Sequence, residues 1–356
     1  MSDRTVSQGM QAAVLTQQGG REAISVREMP IPEPGPGEVR LRVAACALNW
    51  LDVAVRRGGG FGRAALPLIM GSDFAGTVET VGDGVTDWQA GDEVVVFPQL
   101  FCGRCEWCRN GYPTICPEGR IHGESVHGGL SEFAVVSERN LVPKPASLSF
   151  VEAASLPIVL MTAWHMLITV ANVRPGESLL IPGAGGGVAS MGIQVGRMLG
   201  ATVFTTTSSA EKAEQARELG ATAVFNYREQ DWVAETLAAT EGRGVDVVQD
   251  LVGGKTWADS LRCLARNGRM VVVGSHSGAS FELDIRQIYH KQLRILGANG
   301  GTYDEFSRAL QLVGAGRLRA VVDTVLPLAQ IREGHRLLEE HAHFGKVVIA
   351  VDESLL

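Results

Sequence analysis

Cys102, Cys105, Cys108 and Cys116 form a C-x2-C-x2-C-x7-C run. Thiolates at this density in a short loop can close a tetrahedral zinc–sulfur cage, the usual form of a structural zinc site. A cage of four sulfurs leaves no open position for substrate, so such a zinc holds shape and does no chemistry. Iron–sulfur ligation is the competing use, prompted by Pro117 after Cys116. The bacterial ferredoxin run, however, has three residues before its last cysteine, not seven. One zinc per subunit is therefore expected. No comparable convergence of Cys, His and Glu is visible elsewhere in the sequence.

A second chemical signal is the glycine turn Pro182-Gly-Ala-Gly-Gly-Gly-Val-Ala189. It follows the apolar run Ser178–Ile181 and precedes a helix-like stretch through Leu199. Strand, glycine turn and helix is the arrangement whose backbone N–H groups and helix N-terminus receive a pyrophosphate. Gly183, Gly185, Gly186 and Gly187 permit close backbone approach, and Ala189 is small enough for tight helix–strand packing. The next strand ends Thr205-Thr-Thr-Ser-Ser209, where an NAD site would carry Asp or Glu for the ribose hydroxyl. Ser208, Lys212 and Tyr227-Arg228 offer hydroxyls and cations instead, which suit a 2′-phosphate. NADPH is the expected cofactor. A competing use of Ser208 is as a helix N-cap, with Glu211 completing a capping box.

These sites need a scaffold, and the pattern of the chain supplies one. Up to about residue 150, short alternating runs such as Glu38–Val43 and Glu93–Phe97 are separated by Gly, Pro and Asp turns, reading as β-rich. From about 150 to 300, apolar runs alternate with helical patterns, the signature of βαβ units on a parallel sheet. Expected strands are Ser178–Ile181, Thr202–Thr206, Ala223–Phe225, Val245–Asp250, Met270–Gly274 and Arg294–Gly297. A helix is expected near Tyr303–Val313. The fold class is thus α/β, with the second domain embedded in the first: residues 1–155 completed by 301–356, around 156–300.

Composition excludes several classes. The 356 residues are 45% hydrophobic and 20% charged, with net charge −7 and dispersed basic residues. No basic stripe points to nucleic acid, and no run of about 18 uncharged apolar residues points to a membrane span. The opening MSDRTVSQGM has no apolar core of the secretory type. Thiolate ligands must stay reduced, so a cytoplasmic location is expected. Cys46 and Cys263 read as small buried hydrophobes, and the eight histidines, His122, His127, His341 and His343 among them, read as surface or satisfied-core groups.

With these motifs in hand, the chain resembles the medium-chain dehydrogenase/reductase superfamily, from Met10 onward. The zinc alcohol dehydrogenases of that superfamily carry the same four-cysteine lobe and a G-H-E-x2-G-x5-G-x2-V motif. Here that motif reads Gly71-Ser72-Asp73-Phe-Ala-Gly76, then Gly82 and Val85, with every spacing kept. The resemblance implies a GroES-like β domain, a Rossmann domain and an active cleft between them. It also implies pairing of Rossmann sheets edge to edge, giving a homodimer or homotetramer.

The departures narrow the chemistry. The family's catalytic-zinc positions fall on Asn49, Ser72 and near Ile158, which are not a zinc donor set. Cys46 lies three residues from the required position. Asn49 with Asp52, and Asn226-Tyr227-Arg228, instead resemble the metal-free, zeta-crystallin-like quinone oxidoreductases. That likeness implies NADPH-dependent reduction of an enone or quinone, with Asn49, Ser72 and the Trp164 indole orienting the acceptor oxygen. Asp52 and Asp73 are expected to hold backbone and neighbours. Thr162, Val188 and Lys346 join the glycine turn, Ser208, Lys212 and Tyr227 as expected cofactor contacts. Trp50, Phe61 and Phe97 are candidate walls of a flat apolar pocket, with core packing as the competing use. An alcohol or aldehyde dehydrogenase with an unconventional site is the alternative.

Overall fold

The computed structural model describes residues 9–60 and 65–355. It divides into two units, Met1–Ile158 with Val322–Leu356, and Val159–Val321. The boundaries expected at 156 and 301 therefore shift to 159 and 322. The second shift is the larger and has a physical cause. Helix Tyr303–Gly314 is capped by a Thr302/Glu305 capping box, and Glu305 bonds His165 and Thr169 of the same unit. The chain rejoins the β-rich unit only at strand Val322–Pro327, which pairs in parallel with Lys346–Ala350.

In the β-rich unit, strand Glu38–Ala47 is central. Val39, Leu41 and Val43 are buried while Glu38, Arg40 and Arg42 face outward, the period-two pattern of a half-buried strand. It pairs antiparallel with Asp73–Val81 on one side and with Lys346–Ala350 and Phe133–Ser137 on the other parts of its length. The register matters for the site. Ala47 sits opposite Asp73 on one flank and Val348 on the other. Asn49, two residues past Ala47, and Lys346, two before Val348, are thereby delivered to the same end of the sheet as Asp73. A second sheet joins Ile24–Pro30, Gly9–Leu15 and Leu68–Ile69.

The second unit carries six parallel strands in the order Ala223–Asn226, Thr202–Thr207, Ser178–Ile181, Val245–Asp250, Leu264–Val272, Arg294–Gly297. Five of these lie within a residue or two of the expected runs. The fifth in chain order begins at Leu264 rather than Met270, because Leu264 already pairs with Val245 before a register shift. The strand order reverses beside Ser178–Ile181, and the chain that leaves this strand is the glycine turn. In doubly wound sheets a ligand binds outside the carboxyl ends of the strands at that reversal.

Candidate active site and metal centre

Asn49 precedes helix Trp50–Arg56 and is almost wholly buried. Its Nδ2 donates to Asp73 Oδ2 at 2.9 Å, and its Oδ1 accepts from Lys346 Nζ at 2.5 Å. Lys346 Nζ also donates to Asp73 Oδ2 at 2.8 Å, closing a ring of three side chains. The other carboxylate oxygen of Asp73 accepts from the Ile158 amide at 2.8 Å. Positions 49, 73 and 158, far apart in sequence, thus meet. Lys346, expected as a cofactor contact, has its ammonium on Asn49 and Asp73, where the sheet register places it. A cation stands beside Asn49, where neutral donors alone were expected.

Ser72 is fully buried, and its Oγ has no hydrogen-bond partner among the described residues. A buried hydroxyl left unpaired costs about 1–3 kcal/mol, so this donor is available to a ligand or water. Asp52 holds the local backbone: its two carboxylate oxygens accept from the Asn49 amide at 2.8 Å and the Gly71 amide at 3.2 Å. Gly71 adopts φ 93°, and a Cβ there would lie 2.5 Å from the Cys46 sulfur, so only glycine fits.

Burial pushes Asp52 up to about 6, against the Asn49 amide and the Lys346 charge, which pull it down. A carboxyl whose folded pKa lies above its ordinary 3.8 destabilises the fold when ionised. Its contribution is most favourable below that ordinary value and is lost as pH rises through about 6. At about 1.4 kcal/mol per unit, the loss approaches about 3 kcal/mol by neutral pH. Urea unfolding of wild type and Asp52→Asn across this range should show the wild type losing about 3 kcal/mol relative to the variant. A pH-independent difference would reject the assignment.

Of the remaining wall candidates, Trp50 stacks on His341 at 5.8 Å, and Phe97 is buried against Phe101 at 6.0 Å. Phe61 lies outside the described residues. His122 Nδ1 meets the His127 carbonyl at 2.9 Å, and His343 Nδ1 meets the Leu337 carbonyl at 3.1 Å. Cys46 and Cys263 are buried, and burial pushes the Cys263 thiol up to about 12.

In the Rossmann unit, Gly183 adopts φ 83°, and its amide donates to Thr206 Oγ1 at 3.0 Å. Helix Gly187–Met198 starts after Gly186 with no side chain capping it. Its first-turn amides, including Val188, are the groups a pyrophosphate would take. Thr205 Oγ1 donates to the Ile181 carbonyl, so two of the strand-end hydroxyls brace the turn itself. The N-cap of the next helix is Ser209, which accepts from the Lys212 amide at 3.3 Å. The cap expected of Ser208 falls one residue later, and Ser208 is not used for it. Tyr227, half exposed, follows the neighbouring strand, its amide donating to the Thr207 carbonyl at 3.0 Å. Ser208 and Tyr227 therefore leave adjacent strand ends, and Lys212 lies in the first turn of the helix that follows Ser208.

Thr162 is buried and Trp164 half-buried in helix Pro157–Trp164, which widens into a π-helical segment over His165–Val170. Spacing gave no sign of the next contact. His165 Nδ1 lies 2.9 Å from Glu305 Oε1, and the Thr169 hydroxyl and Thr302 amide donate to the same carboxylate. Burial pushes Glu305 up, but these three donors override it and hold it at about 2.

The four lobe cysteines are unpaired thiols whose sulfurs all lie within 4.8 Å of one another. Cys102–Cys108 and Cys105–Cys116 are each separated by 3.9 Å. Zinc–sulfur bonds of about 2.3 Å in a tetrahedron set sulfurs about 3.8 Å apart, so the donor set and its size fit zinc. Among the described residues, this is the one group of three or more Cys, His, Asp or Glu side chains so converged.

Fold and sites together define a dehydrogenase class. Residues 35–146 match the alcohol dehydrogenase GroES-like domain family, and residues 187–315 match the zinc-binding dehydrogenase family. A zinc-type alcohol dehydrogenase-like protein of Schizosaccharomyces pombe is 33% identical, over 94% of this chain and 96% of its own. The quinone oxidoreductase of Rattus norvegicus is 29% identical over 96% and 97%. A crystal structure of an NAD-dependent alcohol dehydrogenase superposes with a TM-score of 0.92 at 42% identity, covering 96% of this chain and all of that one. The chain belongs to the medium-chain dehydrogenase/reductase superfamily. It is a nicotinamide-dependent oxidoreductase acting on a small molecule. Among the described residues, no helix is long and apolar enough to cross a membrane.

Proposed function

We propose that this oxidoreductase uses NADPH to reduce an activated carbon–carbon double bond or a quinone, with one structural zinc per subunit in the cysteine lobe. The observation that carries the reading is the Asn49–Asp73–Lys346 ring. At the positions that would bind a catalytic zinc, an amide is bonded to a lysine and a carboxylate, and the residue preceding that carboxylate is a serine with a buried hydroxyl. Hydride addition to a simple ketone makes an alkoxide, a strong base for which zinc serves as Lewis acid. Addition to an enone β-carbon or a quinone spreads the charge into an enolate or phenolate. Preorganised hydrogen-bond donors suffice for that weaker base. NADPH supplies the hydride when bound. Asn49 and Ser72 orient the acceptor oxygen.

The preference for NADPH draws support from Ser208, Lys212 and Tyr227, which lie at and beyond adjacent strand ends; the residue that follows strand Thr202–Thr207 is a serine and not a carboxylate. Steady-state NADPH oxidation against an enone, a quinone and a simple aldehyde tests the reading. The enone or quinone should be the better acceptor, and kcat/KM should favour NADPH over NADH. Lys212→Ala with Tyr227→Ala should cut that preference by about tenfold or more, the worth of a charged hydrogen bond. A wild type that prefers NADH, or that turns over the aldehyde best, would sink the reading and favour the alcohol dehydrogenase alternative. A homodimer joined along the outer strand Arg294–Gly297 completes the proposal. That strand is open on one side and largely exposed.

A further inference from the structure

We propose that Lys346 is a positioning residue for the reduction: anchored on Asp73, its ammonium locks and polarises the Asn49 amide so that the remaining Nδ2–H is held for the acceptor oxygen. This rests on the reading above that Asn49 meets the acceptor.

The ring leaves Asn49 one orientation. Oδ1 faces the Lys346 ammonium at 2.5 Å and Nδ2 faces the Asp73 carboxylate at 2.9 Å. A flipped amide would set its N–H groups against the cation and its oxygen against the anion, two repulsive contacts in place of two attractive ones. One Nδ2 hydrogen is committed to Asp73, which leaves the second as the donor the proposal assigns to the acceptor oxygen. The ammonium on Oδ1 draws electron density from the amide and strengthens that second N–H as a donor, the cooperative effect of chained hydrogen bonds. Asp73 balances the charge. Its carboxylate and the ammonium are both buried, so the cluster presents no net anion to a developing enolate. Asp73 is fixed in turn by the Ile158 amide and by its place in strand Asp73–Val81.

The electron balance needs nothing further. The hydride adds to the β-carbon, the carbon–carbon π pair moves to form the enolate, and the oxygen gains charge that the Asn49 N–H meets. A solvent proton ends on the α-carbon. Lys346 transfers no proton in this sequence of steps, so its role is visible in kcat and in the amide itself.

The test uses the full-length protein with whichever enone or quinone the wild type reduces. Lys346→Met alone strands the Asp73 carboxylate and risks misfolding, so the informative variant is Lys346→Met with Asp73→Asn, which stays neutral. Asn49→Ala and the neutral pair should each lower kcat by about 100-fold, the scale of losing one preorganised donor. The KM for NADPH should stay within about twofold, as expected when only a transition-state contact is lost. Combining the two sets should cost less than about threefold beyond either, because coupled groups are not additive. Lys346→Arg, which keeps the charge, should restore part of kcat. Independent, additive losses would overturn the proposal, as would a raised KM for NADPH with kcat unchanged. A second readout needs no acceptor. The side-chain 15N–1H pair of Asn49, assigned by its loss in Asn49→Ala, should be widely split in wild type, with one hydrogen on the Asp73 carboxylate, and less split in the neutral pair. Slow rotation about the amide bond keeps the two signals separate in both. Signals unaltered in that pair would overturn the lock. A wild type that reduces neither enone nor quinone would sink the function reading, while the amide signals would still judge Lys346.

Discussion

Replacing Cys105 with Ser should empty the cysteine lobe of zinc and unfold it locally. The reason lies in what else holds the lobe. Its two helical pieces, Glu106–Arg109 and Pro113–Ile115, span four and three residues and bury no side chain. Trp107, Tyr112 and Ile115 are exposed. A segment with so little apolar burial has no core of its own to offset its conformational entropy. Cross-linking by a metal takes that place, and structural zinc is worth about 10–16 kcal/mol in small finger peptides. Cys105 also sits at the centre of the arrangement: its amide donates to Cys102 Sγ at 3.3 Å, and its own sulfur accepts from the Cys108 amide at 3.4 Å. Metal analysis should fall from about one zinc per subunit in wild type to near zero in the variant. Limited proteolysis between residues 102 and 116 should accelerate in the variant and in chelator-treated wild type alike. Wild type with two zincs per subunit would revive a metal-using active site, and iron in the lobe would overturn the zinc assignment.

The parts of this molecule legible in its sequence are those whose geometry is local. Four cysteines within fifteen residues, a glycine turn between a strand and a helix, and Asn49 three residues from Asp52 can each be read by spacing. The structure brings each together as a local unit. What escaped reading depends on pairing across the chain. Lys346 lies 273 residues from Asp73 and 297 from Asn49. Only the alignment of Ala47 with both Asp73 and Val348 makes them neighbours. The second domain boundary failed for a related reason: helix Tyr303–Gly314 carries its own caps and apolar face, and nothing in its pattern says which sheet it packs on. The contact of Glu305 with His165 decides that. Ser208 and Ser209 illustrate a finer limit. Either serine can cap a helix, and a one-residue shift in the strand end selects Ser209.

Asp73→Asn should be among the most destabilising single changes in the β-rich unit, costing about 3–5 kcal/mol, as breaking one side of a buried ion pair does. Asp73 is fully buried and Lys346 nearly so. The carboxylate accepts from Lys346, Asn49 and the Ile158 amide. An introduced amide can still accept from Ile158 through its oxygen. Its nitrogen then faces two donors, and the Lys346 charge is left without a counter-ion. The penalty is thus one of desolvation, larger than the modest worth of the pair when both partners are present. That asymmetry gives the check. In urea, the midpoint should drop sharply for Asp73→Asn and recover in large part when Lys346→Met is added, because the pair can be replaced together at far smaller cost than either charge alone. A loss below about 1 kcal/mol for the single change would mean that water or a neutral lysine already relieves the site, since exposed pairs are worth no more than that. The Asn49 amide would then be held by something other than the charge beside it.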